Sequence, residues 1–162
     1  MYWLSYGGGV NSTALAILLV RGILPEYSIF RIVFADTGNE RPETYFYINE
    51  YFQPWLEKHN RHLEIVRPKE TVLERWERLR LTGSRMFRSC TEHAKIKPIN
   101  DYVNKNGGGE SLIGIDASES HRAPDAIRPL VDLDIDRKGC LDIISMEGLP
   151  NPGKSGCWCC PF

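Results

Sequence analysis

No apolar run in this sequence approaches the ~20 residues needed to cross a bilayer, so a membrane-spanning helix is excluded. The opening residues Met1-Tyr2-Trp3-Leu4-Ser5 lack the basic flank and cleavage pattern of a secretory signal. The expected compartment is therefore the cytoplasm, with no membrane partner. Net charge is almost absent, since 20 basic residues face 21 acidic ones. Nothing global favours a polyanion, and a nucleic-acid partner needs a local patch. Internal repeats, low-complexity tracts and linker-like stretches are missing too. What remains is ordinary for a globular chain, 42% hydrophobic and 25% charged over 162 residues. The expectation is one domain over 1–162 with a core of its own.

The chain reads as strands alternating with helices. Tyr2–Ser5 is short and β-prone, and Asn11–Arg21 turns helical with Leu15, Leu18 and Leu19 at helix spacing. Ile29–Ala35 reads as a buried strand. Pro42 opens a helix reaching to about His59, which Pro54 is expected to bend or break. Leu63–Arg67 and Ser111–Ile115 are further strands. Thr71 is an N-cap for a helix carrying Val72, Leu73, Trp76 and Leu79, and Ala94–Asn104 and Asp136–Met146 complete the helices. Gly148–Phe162 is a turn-rich tail. This alternation predicts an α/β fold, a mostly parallel sheet with helices on both faces. Ligands of such sheets sit beyond the carboxyl ends of the strands.

The turn Ser5–Ser12 lies at one such end. Gly7, Gly8 and Gly9 allow close backbone approach, and the following helix aims its free N–H groups at the turn, a ready anion site. Ser5, Asn11 and Ser12 can add donors. The turn is neither a Lys-bearing Walker loop nor a dinucleotide fingerprint. Asp36 ends the second strand, where a carboxylate holds Mg²⁺, orients a nucleotide or simply builds a turn.

Cysteine is unevenly placed: Cys90 and Cys140 stand alone, whereas Cys157, Cys159 and Cys160 crowd the last six residues. In a reducing compartment such a cluster points to metal or catalysis before disulfides. Cys140, beside Leu141 and Ile144, reads as a small core residue. Arg75, Arg78, Arg80, Arg85 and Arg88 form a basic stretch, read either as a wet helix side or as a contact for a nucleic-acid or protein acceptor.

Several segments, in order, resemble the phosphoadenosine phosphosulfate reductase-like family of the PP-loop superfamily. The glycine turn looks like its S-G-G-x-x-S pyrophosphate signature, and Asp36-Thr37-Gly38 with Pro42-Glu43-Thr44 looks like its D-T-G…P-E-T segment. Gly114-Ile115 through Glu119-Ser120 and Arg122-Ala123, Pro129-Leu130 and Pro150-Asn151-Pro152 match later landmarks. Cys90 followed by Lys95-Ile96-Lys97-Pro98 resembles a cysteine segment before K-x-x-P. The departures are Tyr6, where the family has Gly, and Val10-Asn11, where a Lys-Asp pair is usual.

The resemblance implies an adenine nucleotide (ATP or adenylyl sulfate type) bound by the turn, by Asp36, Thr37 and Gly38, and by Lys95 and Arg122. It implies catalytic roles for Asp36, Arg122 and Cys90. It further implies that Cys90, Cys157, Cys159 and Cys160 hold a 4Fe–4S cluster, with Zn²⁺ or metal-free reactive thiols as alternatives. The chain ends at Phe162 without the E-C-G-x-H segment of cluster-free reductases, which reads as a truncation. Reduction of a sulfated nucleotide, ATP-dependent sulfur transfer to tRNA or DNA, and a nucleotide-binding module of a larger assembly all remain open.

Overall fold

The computed structural model describes residues 1–83 and 89–161. Arg85 and Arg88 of the basic stretch lie outside the described residues. Four strands form an all-parallel sheet: β1 (Tyr2–Tyr6), β2 (Phe30–Ala35), β3 (Leu63–Val66) and β4 (Glu110–Ile113), in the order β3-β2-β1-β4. The register sets Leu4 beside Ile32 and Leu112, all nearly inaccessible. Side chains alternate across β1. Leu4 and Tyr6 enter the larger core, whereas Trp3 faces a smaller one with Val33, Ala35, Val66, Ile99 and Val103. Both faces of the sheet are thus covered, as the alternation predicts.

Helix α1 (Val10–Val20) follows β1 and is buried from Val10 through Leu19, not on one stripe. Its far side is taken by α8 (Arg137–Met146), which starts at Asp136, whose carboxylate accepts from Gly139 N at 2.8 Å. The helix after β2 runs on through Pro54 instead of breaking. It consists of α2 (Pro42–Tyr47), a π-helical turn Ile48–Phe52, and α3 (Gln53–Lys58). In the π-helical turn the Gln53 N–H reaches the Ile48 carbonyl, five residues back. The wider turn leaves room for a proline ring where an α-helix would place a clashing carbonyl. The same device precedes Pro98: α5 (Ser89–Thr91) and π-helical Glu92–Ile96 lead into α6 (Lys97–Lys105).

Helix α4 (Val72–Leu79) begins with a capping box, Thr71 Oγ1 accepting from Glu74 N at 3.3 Å while Thr71 N donates to Glu74 Oε2 at 2.7 Å. Thr71→Ala is expected to cost about 1 kcal/mol, a fall of about 2–4 °C in thermal midpoint by circular dichroism. Short α7 (Pro129–Asp132) precedes α8. No described helix is long and apolar enough to cross a membrane.

Candidate nucleotide and thiol site

The loops leaving the four strands converge at one end of the sheet. After β1 the chain turns through Gly7-Gly8-Gly9, with Gly9 as the N-cap of α1. Gly8 takes a φ of +71°, and a Cβ there would stand 2.7 Å from Thr44 Cγ2, so the position demands glycine twice over. The first intrahelical bond runs from Thr13 N to Gly9 O at 3.0 Å. The N–H groups of Val10, Asn11 and Ser12 precede that bond, and no side chain caps Gly9. Ser12 Oγ accepts from Gly7 N at 3.2 Å and donates to Gly9 O at 3.1 Å, closing the turn on itself.

Ser5 and Tyr6 belong to β1, not to the turn. Ser5 is in register with Val33 and Ile113. Tyr6 stacks on Phe52 at 4.1 Å, and its hydroxyl pairs with Thr13 Oγ1 at 3.2 Å. The aromatic ring where the family has glycine is therefore core packing. Asn11 donates from Nδ2 to Asp116 Oδ2 at 2.9 Å, and Arg137 approaches its Oδ1 at 3.5 Å. Asp116 is 2% exposed, and its Oδ1 accepts from Ser118 N and Oγ. A carboxylate from the loop after β4 thus stands beside the loop position that carries amide instead of acid.

Asp36 is clasped. Tyr45 Oη donates to Oδ1 at 2.6 Å, Gly38 N to the same oxygen at 3.0 Å, and Arg67 Nε to Oδ2 at 2.9 Å. Burial pushes this carboxyl up, but those three donors outweigh it and hold it below the usual carboxylate range. Its contribution to stability is therefore complete above the unfolded value of about 3.9 and is lost as pH falls through the lower folded value. Asp36→Asn is expected to cost about 2 kcal/mol at neutral pH. The difference in thermal midpoint from the parent chain should narrow between about pH 5 and pH 2, and an unchanging difference would refute the clasp as a charged one.

The tail returns to this loop. Glu40 and Cys157 form an antiparallel bridge, Arg41 N donates to Gly156 O at 3.0 Å, and Trp158 N donates to Asn39 O at 2.9 Å. Ser155 is laid over the glycine turn: a Cβ built on Gly9 would lie 2.7 Å from Ser155 Oγ. Thr37 Oγ1 is 3.3 Å from Cys157 Sγ and donates to Glu40 Oε1 at 3.1 Å. Lys95, expected to meet an anion, meets Glu40 Oε1 at 2.8 Å. Glu40 Oε2 is buried with no hydrogen-bond partner among the described residues.

Cys90, Cys157 and Cys160 line one cleft of about 600 Å³ together with Thr37, Lys95, Arg122, Lys154 and Ser155. Arg122 pairs with Glu119 at 2.7 Å on its rim. Burial pushes the Cys157 thiol up to about 11, and burial raises Cys159 as well. Cys140 sits in the core, its thiol pushed up to about 12 by burial. The three cleft thiols fit a thiolate-bound group in kind. Among the described residues, however, no group of three or more His, Cys, Asp or Glu side chains stands gathered as a formed metal site. Arg75 and Arg78 both pair with Glu70, at 3.0 and 2.6 Å, so these two members of the basic stretch share a single carboxylate.

The phosphoadenosine phosphosulfate reductase domain profile matches residues 1–142. The chain belongs to that family. Comparison with curated proteins finds no match. Among solved structures, phosphoadenylyl-sulfate reductase from Candida auris, in a phosphate complex, aligns with a TM-score of 0.66 at 16% identity, over 97% of this chain and 81% of that one. The U34-tRNA thiolase NcsA from Methanococcus maripaludis, with its 4Fe–4S cluster, aligns at 0.67 and 14% identity, over 97% of this chain and 59% of the thiolase. At such identities the likeness is one of fold. This reductase-family chain spans only part of the thiolase.

Sequence reasoning missed Asp116, Glu40, Tyr45 and Arg67 as members of the site. Asp116 and Glu40 stand inside the segments that carry the family resemblance, which was the available signal. Tyr45 and Arg67 gave none, because only the folded chain brings them to Asp36.

Proposed function

We propose that this reductase-family chain binds an adenine nucleotide by its phosphates on the turn Gly7–Ser12 and performs sulfur chemistry at the adjoining cysteine cleft. The observation that carries this reading is the path of the tail. Ser155 lies against Gly9, and two residues later Cys157 lines the cleft shared with Cys90 and Cys160. Phosphate turn and thiols are thereby close enough for one substrate to span both.

The N–H groups at the start of α1 supply fixed dipoles for charge that develops on phosphate oxygens as a bond to phosphorus or sulfur breaks. Two reactions suit this layout. In one, a cleft thiolate attacks the sulfur of a sulfated adenine nucleotide, the nucleotide leaves as its phosphate, and a second thiol releases sulfite as the two thiols become a disulfide. In the other, an acceptor oxygen of tRNA or DNA attacks the α-phosphate of ATP, pyrophosphate leaves, and a sulfide-level donor then displaces AMP, which carries that oxygen away. The thiolase neighbour and the three cleft thiols favour keeping the second. Asp36 shapes the loop through its clasp, while Arg122, Lys95 and Lys154 are cations that line the cleft with the thiols. Cys90, Cys157 and Cys160 would hold a 4Fe–4S cluster or zinc, with Cys159 in reserve. A cluster would supply a thiolate-bound iron at which sulfur can be carried. Iron, sulfide and zinc analysis of anaerobically purified protein separates these assignments.

The deciding experiment is calorimetric titration of that protein with Mg-ATP and with phosphoadenosine phosphosulfate. Preference for the sulfated nucleotide selects reduction, and preference for Mg-ATP selects adenylation with sulfur transfer. A folded sample that binds neither overturns the proposal.

A further inference from the structure

The glycine turn departs from its relatives by having no cation of its own. From Ser5 to Ser12 there is no Lys or Arg, and Val10-Asn11 stands where Lys-Asp is usual. A polyphosphate placed on backbone N–H groups alone keeps most of its charge uncompensated, and charge-assisted hydrogen bonds are the strong ones in such sites. Arg137, 3.5 Å from Asn11 Oδ1, is one cation beside the start of α1, and the other end of the turn takes a cation from elsewhere in the fold.

The tail passes over the turn as Gly153-Lys154-Ser155-Gly156. Ser155 Oγ occupies the space a side chain at Gly9 would need, and its Cβ lies 3.9 Å from where a Cβ on Gly8 would stand. The turn is thus roofed by a hydroxyl carried on a segment nearly 150 positions later in the chain. This roof is fixed, because Arg41 N holds Gly156 O and the Glu40–Cys157 bridge follows at once. Lys154 precedes Ser155, is exposed, and lines the same cleft as Ser155 and the thiols.

We infer that Lys154 and Ser155 complete the phosphate site from above, the ammonium supplying the cation that the turn lacks and the hydroxyl donating to the phosphate nearest Gly9. The ligand class is a nucleoside triphosphate or its pyrophosphate moiety. The site is then split, with N–H donors from the start of α1 below and a strap of tail above. This rests on the nucleotide reading of the turn given under the proposed function. It adds two residues to that reading which neither the family resemblance nor the matched segment, residues 1–142, contains.

The test uses the whole chain, titrated by calorimetry with ATP and separately with inorganic pyrophosphate. Lys154→Ala is expected to weaken both by at least about tenfold, the scale of one hydrogen bond to a charged group, and Lys154→Arg to recover most of the loss. Ser155→Ala is expected to weaken pyrophosphate by about tenfold as well, because the acceptor of its hydroxyl is a charged phosphate. Circular dichroism and thermal midpoints show that each variant folds before its binding is compared with the parent. Equal binding of pyrophosphate by parent, Lys154→Ala and Ser155→Ala overturns the strap while leaving the turn intact. Failure of the parent chain to bind either ligand is a different result: it removes the nucleotide reading itself, and the strap with it.

Discussion

Replacing Gly114 with alanine is expected to abolish nucleotide binding and to lower stability by about 3 kcal/mol, at the upper end for overpacking. Gly114 leaves β4 directly against the start of α1. A Cβ there would lie 2.6 Å from Ser12 N, 2.7 Å from Ser12 Cα and 2.9 Å from the carbonyl carbon of Asn11. All three are backbone atoms, so no rotamer change relieves the clash. β4 cannot retreat, because Leu112 and Ile113 are in register with Leu4 and Ser5 of β1. Helix α1 must shift instead, and with it the N–H groups proposed to receive phosphate. Alanine at Gly9 offers a contrast, since it meets only the Ser155 side chain, which can rotate. Denaturant unfolding and calorimetry with ATP check both halves. A Gly114→Ala chain that binds and unfolds like its parent would show that α1 is not fixed where the structure puts it.

Lys95→Met is the second large effect, about 3 kcal/mol of lost stability and about 6–12 °C in thermal midpoint. Glu40 has no exposed side-chain surface, and among the described residues Lys95 Nζ at 2.8 Å is the cation it meets. Thr37 Oγ1 adds one neutral hydrogen bond, and the second carboxylate oxygen has none among those residues. Removing the ammonium strands a buried charge, which costs far more than the pair contributes over an apolar replacement. The loss is set at the low end of the range for buried pairs because the Lys95 side chain is 31% exposed. Adding Glu40→Gln to Lys95→Met should restore most of the stability, giving a large interaction energy in the double-mutant cycle. If Lys95→Met alone costs under about 1 kcal/mol, the surface-pair scale, the ion pair does not hold this loop.

Both effects fall on residues whose importance was unevenly legible in the sequence. The strands and helices could be read because each carries its own local signal. β2 is an uninterrupted apolar run from Ile32 to Ala35, and α4 has a cap and a face. The turn at Gly7–Ser12 was legible for the same reason, as glycines set between a strand and a helix. Pro54 misled, because a helix-breaking residue becomes tolerable once the preceding turn widens to π spacing, and no composition rule announces that. The clasp on Asp36 joins residues 31 positions apart, and the contact of Asn11 with Asp116 joins residues 105 apart. Neither periodicity nor spacing reports such pairs. The cysteines were legible as a group. Their meeting with Cys90 across one cleft, without closing into a formed metal site, was a matter of tertiary packing.

The tail's two backbone hydrogen bonds, Trp158 N to Asn39 O and Arg41 N to Gly156 O, anchor it to the loop after β2, with Ser155 against the glycine turn and Cys157 in the thiol cleft two residues on. Any ligand or oxidation state that moves Cys157 therefore acts on Ser155, and any occupant of the turn acts back on Cys157. Thermodynamic reciprocity makes the two influences equal: whatever factor a thiol-bound group imposes on nucleotide affinity, the nucleotide imposes on that group. Loading of one half of the molecule becomes a measurement of the other, and the order in which the two are filled leaves the final free energy unchanged.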